Sequence, residues 1–464
     1  TDTAGASRRG ATAVSVGASA PPRRILVLGA GLVARPLIQY LLRRPGYYVA
    51  VADKDVPRAR EMLAGRANGE ALALDLDPAD PSPLVSPVSR ADVVVSLLPP
   101  AYHPTVAGVC VDRRKHLVTT SYVGDAMRAL DDRAREAGVL LLNEVGLDPG
   151  LDHMTAMRII DGVRERGGTV AEFYSYCGGL PAPEANTNPI GYKFSWNPRG
   201  MVLAGKNAAR YLKDGKLVEV PGPELFGHYW EVKIDNLGVF EAYPNRDSPA
   251  YRSIYGIESA RTVFRGTLRY LGHCRLWKKM VEMGLLDDAP RANLAGATLA
   301  EFTRRLIGAR AGRDLRVAAA EKLGLPPDSE VLLKLDWLGF FGTDPVPIER
   351  GSGLDVLAAQ LQKKLQYKRG ERDMIVLRHE FGAEFPGGRR ESIASTLIDF
   401  GVPGGDSAMS RTVSLPAAIA ARLVLEGAIS ARGVRIPVDK AIYGPILSDL
   451  EAFGVRCVER TVAR

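Results

Sequence analysis

Cysteine is scarce in this sequence. Only four of the 464 residues are cysteines, Cys110, Cys177, Cys274 and Cys457, and none of them forms part of a group with metal-ligand spacing. Scattered cysteines are typical of reduced thiols in an intracellular protein, whereas a disulfide framework needs a denser set. We therefore predict no metal site and a cytoplasmic location.

Long hydrophobic runs are also missing, because no apolar stretch approaches the roughly 20 residues that cross a membrane. The net charge of +8 could favour nucleic acid, but the basic residues are dispersed, without a basic stripe or a compact DNA-binding motif. A positive cleft that binds anionic small molecules explains the charge better. We therefore expect neither a membrane nor nucleic acid as a partner.

The first 22 residues lack the apolar side chains that build a core. They are rich in Ala, Ser, Gly, Thr and Arg and end in Pro21 and Pro22. This composition predicts a disordered tail, with an organelle transit peptide as the alternative. The rest of the chain is longer than one hydrophobic core normally serves, so we expect two or three domains.

The sequence does contain a dinucleotide-binding fingerprint in residues 24–53. A short apolar run, Ile25 to Leu28, leads directly into the G-x-G-x-x-A pattern of residues 29–34. A strand that turns into a helix in this way presents free N–H groups at the helix N-terminus to a pyrophosphate. A second apolar run ends in Asp53, where an acid can bind the adenosine ribose.

Apolar runs and helical patterns continue to alternate as far as Asn143. Further strands are predicted over residues 72–76, 92–98, 117–120 and 139–143, which is typical of an α/β fold with a doubly wound parallel sheet. Ligands of such sheets bind at the carboxyl ends of the strands. The residues predicted there to bind the cofactor are Gly29, Ala30, Gly31, Leu32, Val33, Asp53, Lys54, Asp75, Leu76, Leu98, Pro99, Leu147, Asp148 and Pro149.

The character of the chain changes after Gly150. Residues 172–272 are rich in aromatic residues, Gly, Pro and Asn, which indicates an α+β domain with long loops. Residues 276–350 have helical spacing, residues 374–385 and 391–399 alternate like paired strands, and residues 415–425 predict a helix.

Eight segments carry a resemblance to a known family. They are GAGLVARP (29–36), TTSY (119–122), NEVGLDPGLDH (143–153), SYCGGLPAPE (175–184), GYKFSW (191–196), YPNRDS (243–248), RGTLRY (265–270) and GERDMIVL (370–377). With these segments the chain resembles the L-glutamate-forming saccharopine dehydrogenases, or saccharopine reductases, over nearly everything after residue 23. The resemblance implies an NAD(P)-dependent oxidoreductase of lysine metabolism that acts on a CH–NH bond. In that family, oxidised saccharopine is cleaved by water to L-glutamate and 2-aminoadipate 6-semialdehyde, or the reverse reduction joins these two.

The resemblance also implies a domain arrangement. Residues 23–148 would form the Rossmann domain, to which residues 425–464 return. Residues 149–275 and 351–424 would form an α+β domain for substrate binding and dimerisation, and residues 276–350 a small helical domain. We therefore expect a homodimer.

Saccharopine is a tricarboxylate, so paired arginines are needed to bind it bidentately. By the resemblance, the substrate contacts are Ser121, Tyr122, Asp148, Lys193, Arg246, Thr267, Leu268 and Arg269, and Trp196 lies against the nicotinamide. The amine must lose a proton and water must later be activated, which requires groups that titrate near neutrality. Asp148, Cys177 and Tyr122 are the predicted catalytic residues, with the acid and base roles left open. His103 and His153 lie near the same strand ends, either to orient a carboxylate or as structural residues.

Cofactor choice depends on the residues that follow the second strand. The stand-alone fungal enzymes of the family use NADP and carry Cys-Arg-Thr there, whereas this chain has Asp53-Lys54-Asp55. An Asp53 carboxylate that binds the ribose hydroxyls would repel a 2′-phosphate, which favours NAD. Lys54, Arg58 and Arg60 favour NADP. We predict NAD, with NADP as the alternative.

The sequence leaves two other functions open. The same fold could serve a carboxynorspermidine- or opine-type dehydrogenase, or a catalytically silent protein that senses dinucleotides. A polyamine substrate would require acidic residues in place of Arg246 and Arg269, and a silent sensor would bind the cofactor without turnover.

Overall fold

The computed structural model describes residues 21–290 and 294–463. The predicted tail over residues 1–22 lies outside the described residues, apart from its last two prolines. In the described part of the chain, a seven-stranded sheet and a nine-stranded sheet organise the fold.

Strands and helices alternate through the first part of the described chain. They are β1 (Arg23–Leu28), α1 (Ala34–Leu42), β2 (Tyr47–Asp53), α2 (Val56–Leu63), β3 (Gly69–Ala73), α3 (Ser82–Ser89), β4 (Val93–Ser96), α4 (His103–Asp112), β5 (His116–Thr119), α5 (Asp125–Arg128), α6 (Asp131–Glu136) and β6 (Leu140–Leu142). The strands pair in parallel in the order β6-β5-β4-β1-β2-β3. The central strand β1 is buried from Ile25 to Leu28, as its apolar run requires. The predicted doubly wound parallel sheet is confirmed.

The third strand begins and ends earlier than the sequence pattern predicts. Its last residue, Ala73, pairs with Asp53 at the end of β2, so the ladder stops where its neighbour stops. Asp75 and Leu76 therefore lie in the loop beyond the strand, at the carboxyl edge of the sheet.

The remaining elements build the second sheet and the helices around it. They are α7 (Leu151–Glu165), β7 (Thr169–Pro181), α8 (Pro198–Ala204), β8 (Ala209–Lys213), β9 (Lys216–Val220), β10 (Trp230–Ile234), β11 (Gly238–Pro244), α9 (Tyr251–Ile254), β12 (Thr262–Tyr270), α10 (His273–Met283), α11 (Leu299–Ile307), α12 (Leu315–Leu323), α13 (Glu330–Trp337), α14 (Gly353–Lys364), β13 (Asp373–Glu384), β14 (Arg390–Phe400), α15 (Ala408–Leu425), β15 (Gly433–Arg435), α16 (Lys440–Glu451) and β16 (Val458–Ala463). The second sheet has the order β10-β11-β12-β7-β13-β14-β16, with the β8–β9 hairpin attached to β12. Because β7 and β12 lie side by side and parallel, residues 175–177 and 265–267 are direct neighbours.

The C-terminal residues do not divide between the two sheets at the predicted domain boundary, which lies between residues 424 and 425. Helix α15 packs against α1, β4 and β5 of the first sheet, because its buried small residues let the backbones approach. After it, β15 pairs with β6 in the first sheet, whereas β16 pairs with β14 in the second. The segment thus connects both sheets.

Helix α15 is also the element of the described chain most like a membrane span. Its 18 residues have a mean hydropathy of 1.2, but 78% of them are buried inside the protein. This is the pattern of a core helix.

Candidate active site

A cavity of about 340 Å³ lies between the two sheets, beside the N-terminal end of α1. It is bounded by the loops after β5 and β6, by β7 and β12, and by the first turns of α15. The predicted site residues that line it are Val33, Tyr122, Leu147, Asp148, Pro149, Cys177, Trp196, Arg246, Thr267 and Arg269. The structure thus brings together residues that are far apart in the chain.

Asp148 lies at the tip of a tight loop between β6 and α7. The N–H of Gly146 donates to the carbonyl of Pro149 at 2.9 Å, and the N–H of Leu151 donates to the carbonyl of Gly146 at 2.8 Å. Gly150 has a φ of +144°, and a Cβ there would come within 2.2 Å of the Gly146 backbone. Only glycine fits this position, so the G-x-x-x-G spacing holds the Asp148 carboxylate at the carboxyl end of β6.

A polar cluster surrounds this carboxylate. The hydroxyl of Tyr122 donates to Asp148 Oδ1 at 2.6 Å, and Arg265 Nη2 donates to the same oxygen at 2.8 Å. Arg265 also donates to Asp152 in the first turn of α7. Its guanidinium stacks over the ring of Tyr251, 4.2 Å from the ring centre. Arg265 is only 3% exposed, so its charge is balanced inside the protein by these two aspartates.

Arg265 is the first residue of the RGTLRY segment, but it is not among the predicted site residues. Alternate residues of a strand point to the same side, so Arg265, Thr267 and Arg269 share one face of β12. This spacing is visible in the sequence and could have identified the residue. The same alternation corrects a prediction: the Leu268 side chain is fully buried in the opposite hydrophobic core and does not line the cavity.

Two arginines line the cavity, and they differ in the contacts that hold them in place. Arg246 has a φ of +58°, which is rare outside glycine, and its carbonyl accepts the N–H of Arg210 at 2.8 Å. Its guanidinium lies 4.3 Å from the ring centre of Tyr122. Arg269 lies 5.0 Å from the ring centre of Tyr192 and is 6% exposed. Within the described chain neither guanidinium has a carboxylate partner, so both are available to an anionic ligand.

The three predicted catalytic residues differ in what they can do at neutral pH. Burial, together with the carboxylates of Asp148 and Asp152, raises the pKa of the Cys177 thiol well above its ordinary value. Burial likewise raises the pKa of the Tyr122 hydroxyl well above its ordinary value. Both groups therefore keep their protons at neutral pH, and the Tyr122 hydroxyl donates to Asp148. Asp148 accepts hydrogen bonds from its neighbours, which makes its carboxylate the acceptor of this cluster.

Two predicted substrate contacts lie elsewhere. Lys193 is 4% exposed and pairs with Glu371 at 2.6 Å, and it does not line the cavity because this ion pair holds its ammonium group away. The Ser121 hydroxyl is bonded to His103 Nε2 at 2.9 Å and also lies outside the cavity. Both placements differ from the prediction because each side chain has a partner inside the protein.

The two histidines near the strand ends are structural in this arrangement. Burial lowers the pKa of His103 to about 4, so it is neutral at physiological pH and bonds to Thr119 at 3.1 Å. His153 is fully buried between Glu144, at 2.8 Å, and the hydroxyl of Tyr255, at 2.6 Å. Neither imidazole lines the cavity.

A second cavity, of about 210 Å³, lies at the carboxyl ends of β2, β3 and β4. Six predicted cofactor residues line it: Asp53, Lys54, Asp75, Leu76, Leu98 and Pro99. The glycine-rich turn follows β1, which lies between β4 and β2, and Val33 at its end is part of the wall of the larger cavity. A Cβ at Gly31 would meet no protein atom within 4 Å, so the space beside this turn is open to a ligand. These features fit an extended dinucleotide.

The Asp53 carboxylate is directed back onto its own chain. Oδ2 accepts the N–H of Ala30 at 2.6 Å, and Oδ1 accepts the N–H of Asp55 at 2.8 Å. Asp53 therefore holds the glycine-rich turn against the end of β2. Lys54 beside it is exposed.

Two family models match the chain and together cover most of it. The saccharopine dehydrogenase NADP binding domain matches residues 25–142, and the saccharopine dehydrogenase C-terminal domain matches residues 146–455. Apart from β16 and the first two residues of β1, both sheets fall within matched regions.

Individual proteins are similar over nearly the whole chain. The saccharopine dehydrogenase (NADP(+), L-glutamate-forming) of Schizosaccharomyces pombe is 39% identical over 447 residues, which are 94% of this chain and 99% of that protein. The mitochondrial alpha-aminoadipic semialdehyde synthase of Bos taurus is 39% identical over 463 residues, which are 97% of this chain and 48% of that protein. The solved structure of apo saccharopine dehydrogenase (L-Glu forming) from Saccharomyces cerevisiae aligns with a TM-score of 0.88 at 38% identity. This alignment covers 95% of this chain and 100% of that one.

The predicted preference for NAD is wrong. The matching family domain is an NADP binding domain, and the S. pombe relative is named for NADP(+). The prediction assumed that the Asp53 carboxylate faces the ribose, but in the structure both of its oxygens accept backbone N–H groups. The exposed ammonium group of Lys54 lines the same small cavity and can attract a phosphate.

Proposed function

Because the chain belongs to the saccharopine dehydrogenase family, we propose that it is an NADP-dependent oxidoreductase that acts on the CH–NH bond of saccharopine. Oxidation and hydrolysis release L-glutamate and 2-aminoadipate 6-semialdehyde, and reduction in the opposite direction joins them. The activity belongs to lysine metabolism, either degradation or biosynthesis.

The observation that carries this proposal is the position of Arg246 and Arg269 in the large cavity. Their guanidinium groups have no carboxylate partner in the described chain, and both lie within reach of one ligand that also meets Asp148. A guanidinium binds a carboxylate through two parallel hydrogen bonds. A substrate with several carboxylates around a secondary amine is therefore complementary to this cavity, whereas a polyamine is repelled by it.

The chemistry of the amine falls to the Asp148 cluster. Tyr122 and Arg265 both donate to Oδ1, which leaves Oδ2 for the substrate nitrogen. Oxidation removes a proton from this nitrogen and a hydride from the adjacent carbon, and Asp148 is placed to accept the proton. The Cys177 thiol and the Tyr122 hydroxyl stay protonated, and the hydroxyl donates to Asp148. When bound, the nicotinamide cofactor accepts the hydride in oxidation and supplies it in reduction.

We further propose how this chain holds NADP. The smaller cavity takes the adenosine, and the turn from Gly29 to Val33 takes the pyrophosphate at the N-terminus of α1. Lys54, and Arg58 in the first turn of α2, supply positive charge for the 2′-phosphate. Trp196 lines the large cavity and can lie against the nicotinamide.

The proposal is tested by mixing the purified protein with saccharopine and NADP⁺ and following absorbance at 340 nm. Reduced cofactor is expected with saccharopine, while polyamine and opine substrates are expected to give at least tenfold lower kcat/KM. NADP binding without reduction of any of these amines would reject the enzyme and favour a dinucleotide sensor. Preference for a polyamine would reject the assignment of the arginines.

A homodimer and a cytoplasmic location are also proposals. The first rests on the family resemblance, and the second on four cysteines that are all free in the structure. Light scattering of the purified protein and imaging of a tagged protein in its host test them.

A further inference from the structure

We propose that Arg265 is a positioning residue for catalysis, which orients Asp148 and Tyr122 so that Asp148 Oδ2 faces the substrate amine. This inference rests on the proposed function but concerns a residue that the substrate and cofactor contacts do not include. Arg265 does not line the cavity and acts through its neighbours.

Arg265 contacts two residues of the cavity wall and one residue that does not line the cavity. Nη2 lies 2.8 Å from Asp148 Oδ1 and 3.3 Å from the hydroxyl of Tyr122, and it also donates to Asp152. Asp148 and Tyr122 are themselves joined at 2.6 Å. Arg265 Nη2 thus connects Asp148 and Tyr122, which line the cavity, to Asp152, which does not.

Arg265 also binds the Asp148 loop at two points, at Asp148 and at Asp152. Asp148 is the tip of this loop, and Asp152 Oδ1 accepts the N–H of Gly150 at 2.6 Å, so both aspartates are attached to the loop. The backbone of Arg265 is fixed as well: its N–H donates to the hydroxyl of Ser248 at 2.9 Å. Its carbonyl accepts the N–H of Asn245, the residue before Arg246, at 2.8 Å. Arg265 therefore connects the proton acceptor to the substrate arginine.

Charge gives a second reason for this role. Asp148 and Asp152 bind the same nitrogen, so without the guanidinium a partly buried carboxylate and a fully buried one would lie close together with no arginine between them. Like charges that share a site favour protonation of one carboxyl group. A protonated Asp148 cannot accept the proton of the amine.

The test compares Arg265→Met, which removes the charge, with Arg265→Lys, which keeps the charge but loses the planar fork. Arg422 offers a matched control, because its guanidinium also bridges two carboxylates, Glu426 and Asp449, outside the cavity. Arg422→Met removes two comparable ion pairs and leaves the residues of the cavity unchanged. Each variant is assayed for NADPH binding by fluorescence and for saccharopine oxidation as a function of pH.

For Arg265→Met we expect turnover to fall about 100-fold, the scale of a lost proton-transfer group, while the dissociation constant of NADPH stays within about threefold. The acidic limb of the kcat/KM profile moves to higher pH, because an adjacent positive charge has been removed. Arg265→Lys keeps the wild-type acidic limb and loses about tenfold in turnover. Arg422→Met keeps the wild-type turnover and pH profile.

A purely structural role predicts a different pattern. Turnover is compared per NADPH-binding site, so that only folded protein is counted. The proposal is overturned if either Arg265→Lys or Arg265→Met has the wild-type turnover and an unchanged pH profile. Equal losses of turnover in Arg265→Lys and Arg265→Met without a shift in the pH profile also overturn it. A wild-type protein that binds NADPH but does not oxidise saccharopine would remove the proposed function, and the inference with it.

Discussion

The hydroxyl of Tyr122 donates to Asp148 Oδ1 at 2.6 Å, although the two residues are 26 positions apart and follow different strands. Parallel strands bring their carboxyl ends to one edge of the sheet, which is why residues after β5 and β6 meet. Both residues follow strands of the dinucleotide-binding sheet, and both line the cavity that also contains Arg246 and Arg269. Each component of this arrangement can be changed separately by a single substitution.

Replacing Arg246 with Ala should raise the KM for saccharopine by about 30-fold or more, as expected when one partner of a buried charge pair is lost. NADPH binding should stay unchanged, because Arg246 lies on the substrate side of the cavity. Arg210→Ala is the matched control, since the exposed side chain of Arg210 pairs with Asp247 outside the cavity. Initial-rate kinetics with varied saccharopine measure the effect. A KM within twofold of the wild type would remove Arg246 from the site.

Lys54→Ala should weaken NADPH by about tenfold and leave NADH nearly unaffected, because only NADPH carries the 2′-phosphate that this ammonium group attracts. Arg60→Ala serves as the control, since Arg60 is exposed on α2 and does not line the small cavity. Fluorescence titration with both cofactors measures the two dissociation constants. Equal weakening of NADPH and NADH would contradict the assignment.

Asp53→Ala should weaken both cofactors. Its carboxylate holds the N–H of Ala30 in the glycine-rich turn, and this turn contacts the pyrophosphate, which both cofactors share. The same titration measures it. If only the ratio of NADPH to NADH affinity changed, Asp53 would be a ribose contact and its role in the turn would be secondary.

Cys177→Ala should retain turnover within about threefold of the wild-type rate. Burial raises the pKa of this thiol well above its ordinary value, so it carries no thiolate that could act as a base at neutral pH. The thiol should also resist iodoacetamide in mildly alkaline buffer, which mass spectrometry can measure. A collapse of turnover by two orders of magnitude, or rapid alkylation at Cys177, would show that the thiolate takes part.

His103 should make the protein less stable in acid. Its folded-state pKa of about 4 lies below the ordinary 6.5, so the unfolded chain binds the proton more readily. The contribution is fully present above pH 6.5 and is lost as the pH falls towards 4, by about 3 kcal/mol in total. His103→Gln should flatten the dependence of the unfolding free energy on pH between 7 and 4, as measured with urea. Equal slopes for the wild type and His103→Gln would contradict the role of His103.

The sequence predicts the dinucleotide-binding sheet well because its signals are local. An apolar run buried from Ile25 to Leu28, glycines at fixed spacing and an amphipathic helix can each be recognised within a few residues. The positions of the strand ends follow from the parallel sheet, and residues 53, 54, 75, 76, 98 and 99 do line one cavity. Only the third strand is displaced, because its length depends on its neighbour β2.

The rest depends on contacts between distant segments. Arg265 binds Asp152 across 113 residues, and Lys193 binds Glu371 across 178 residues. The alternation along β12 places Arg265 on the same face as Arg269, but no local pattern shows which carboxylate Arg265 binds. Nor does a local pattern show that Glu371 holds Lys193 away from the site. The sequence also places Asp53 correctly at the end of β2. It does not show that the Asp53 carboxylate is directed to the N–H of Ala30 in the glycine-rich turn.

We propose that one cavity holds a carboxylate-rich amine between Arg246, Arg269 and Asp148. A crystal structure of the protein with NADP⁺ and saccharopine would show this arrangement. We expect substrate carboxylates on both guanidinium groups and the secondary amine within hydrogen-bond distance of Asp148 Oδ2. Saccharopine bound away from these arginines, or with its amine turned away from Asp148, would contradict it.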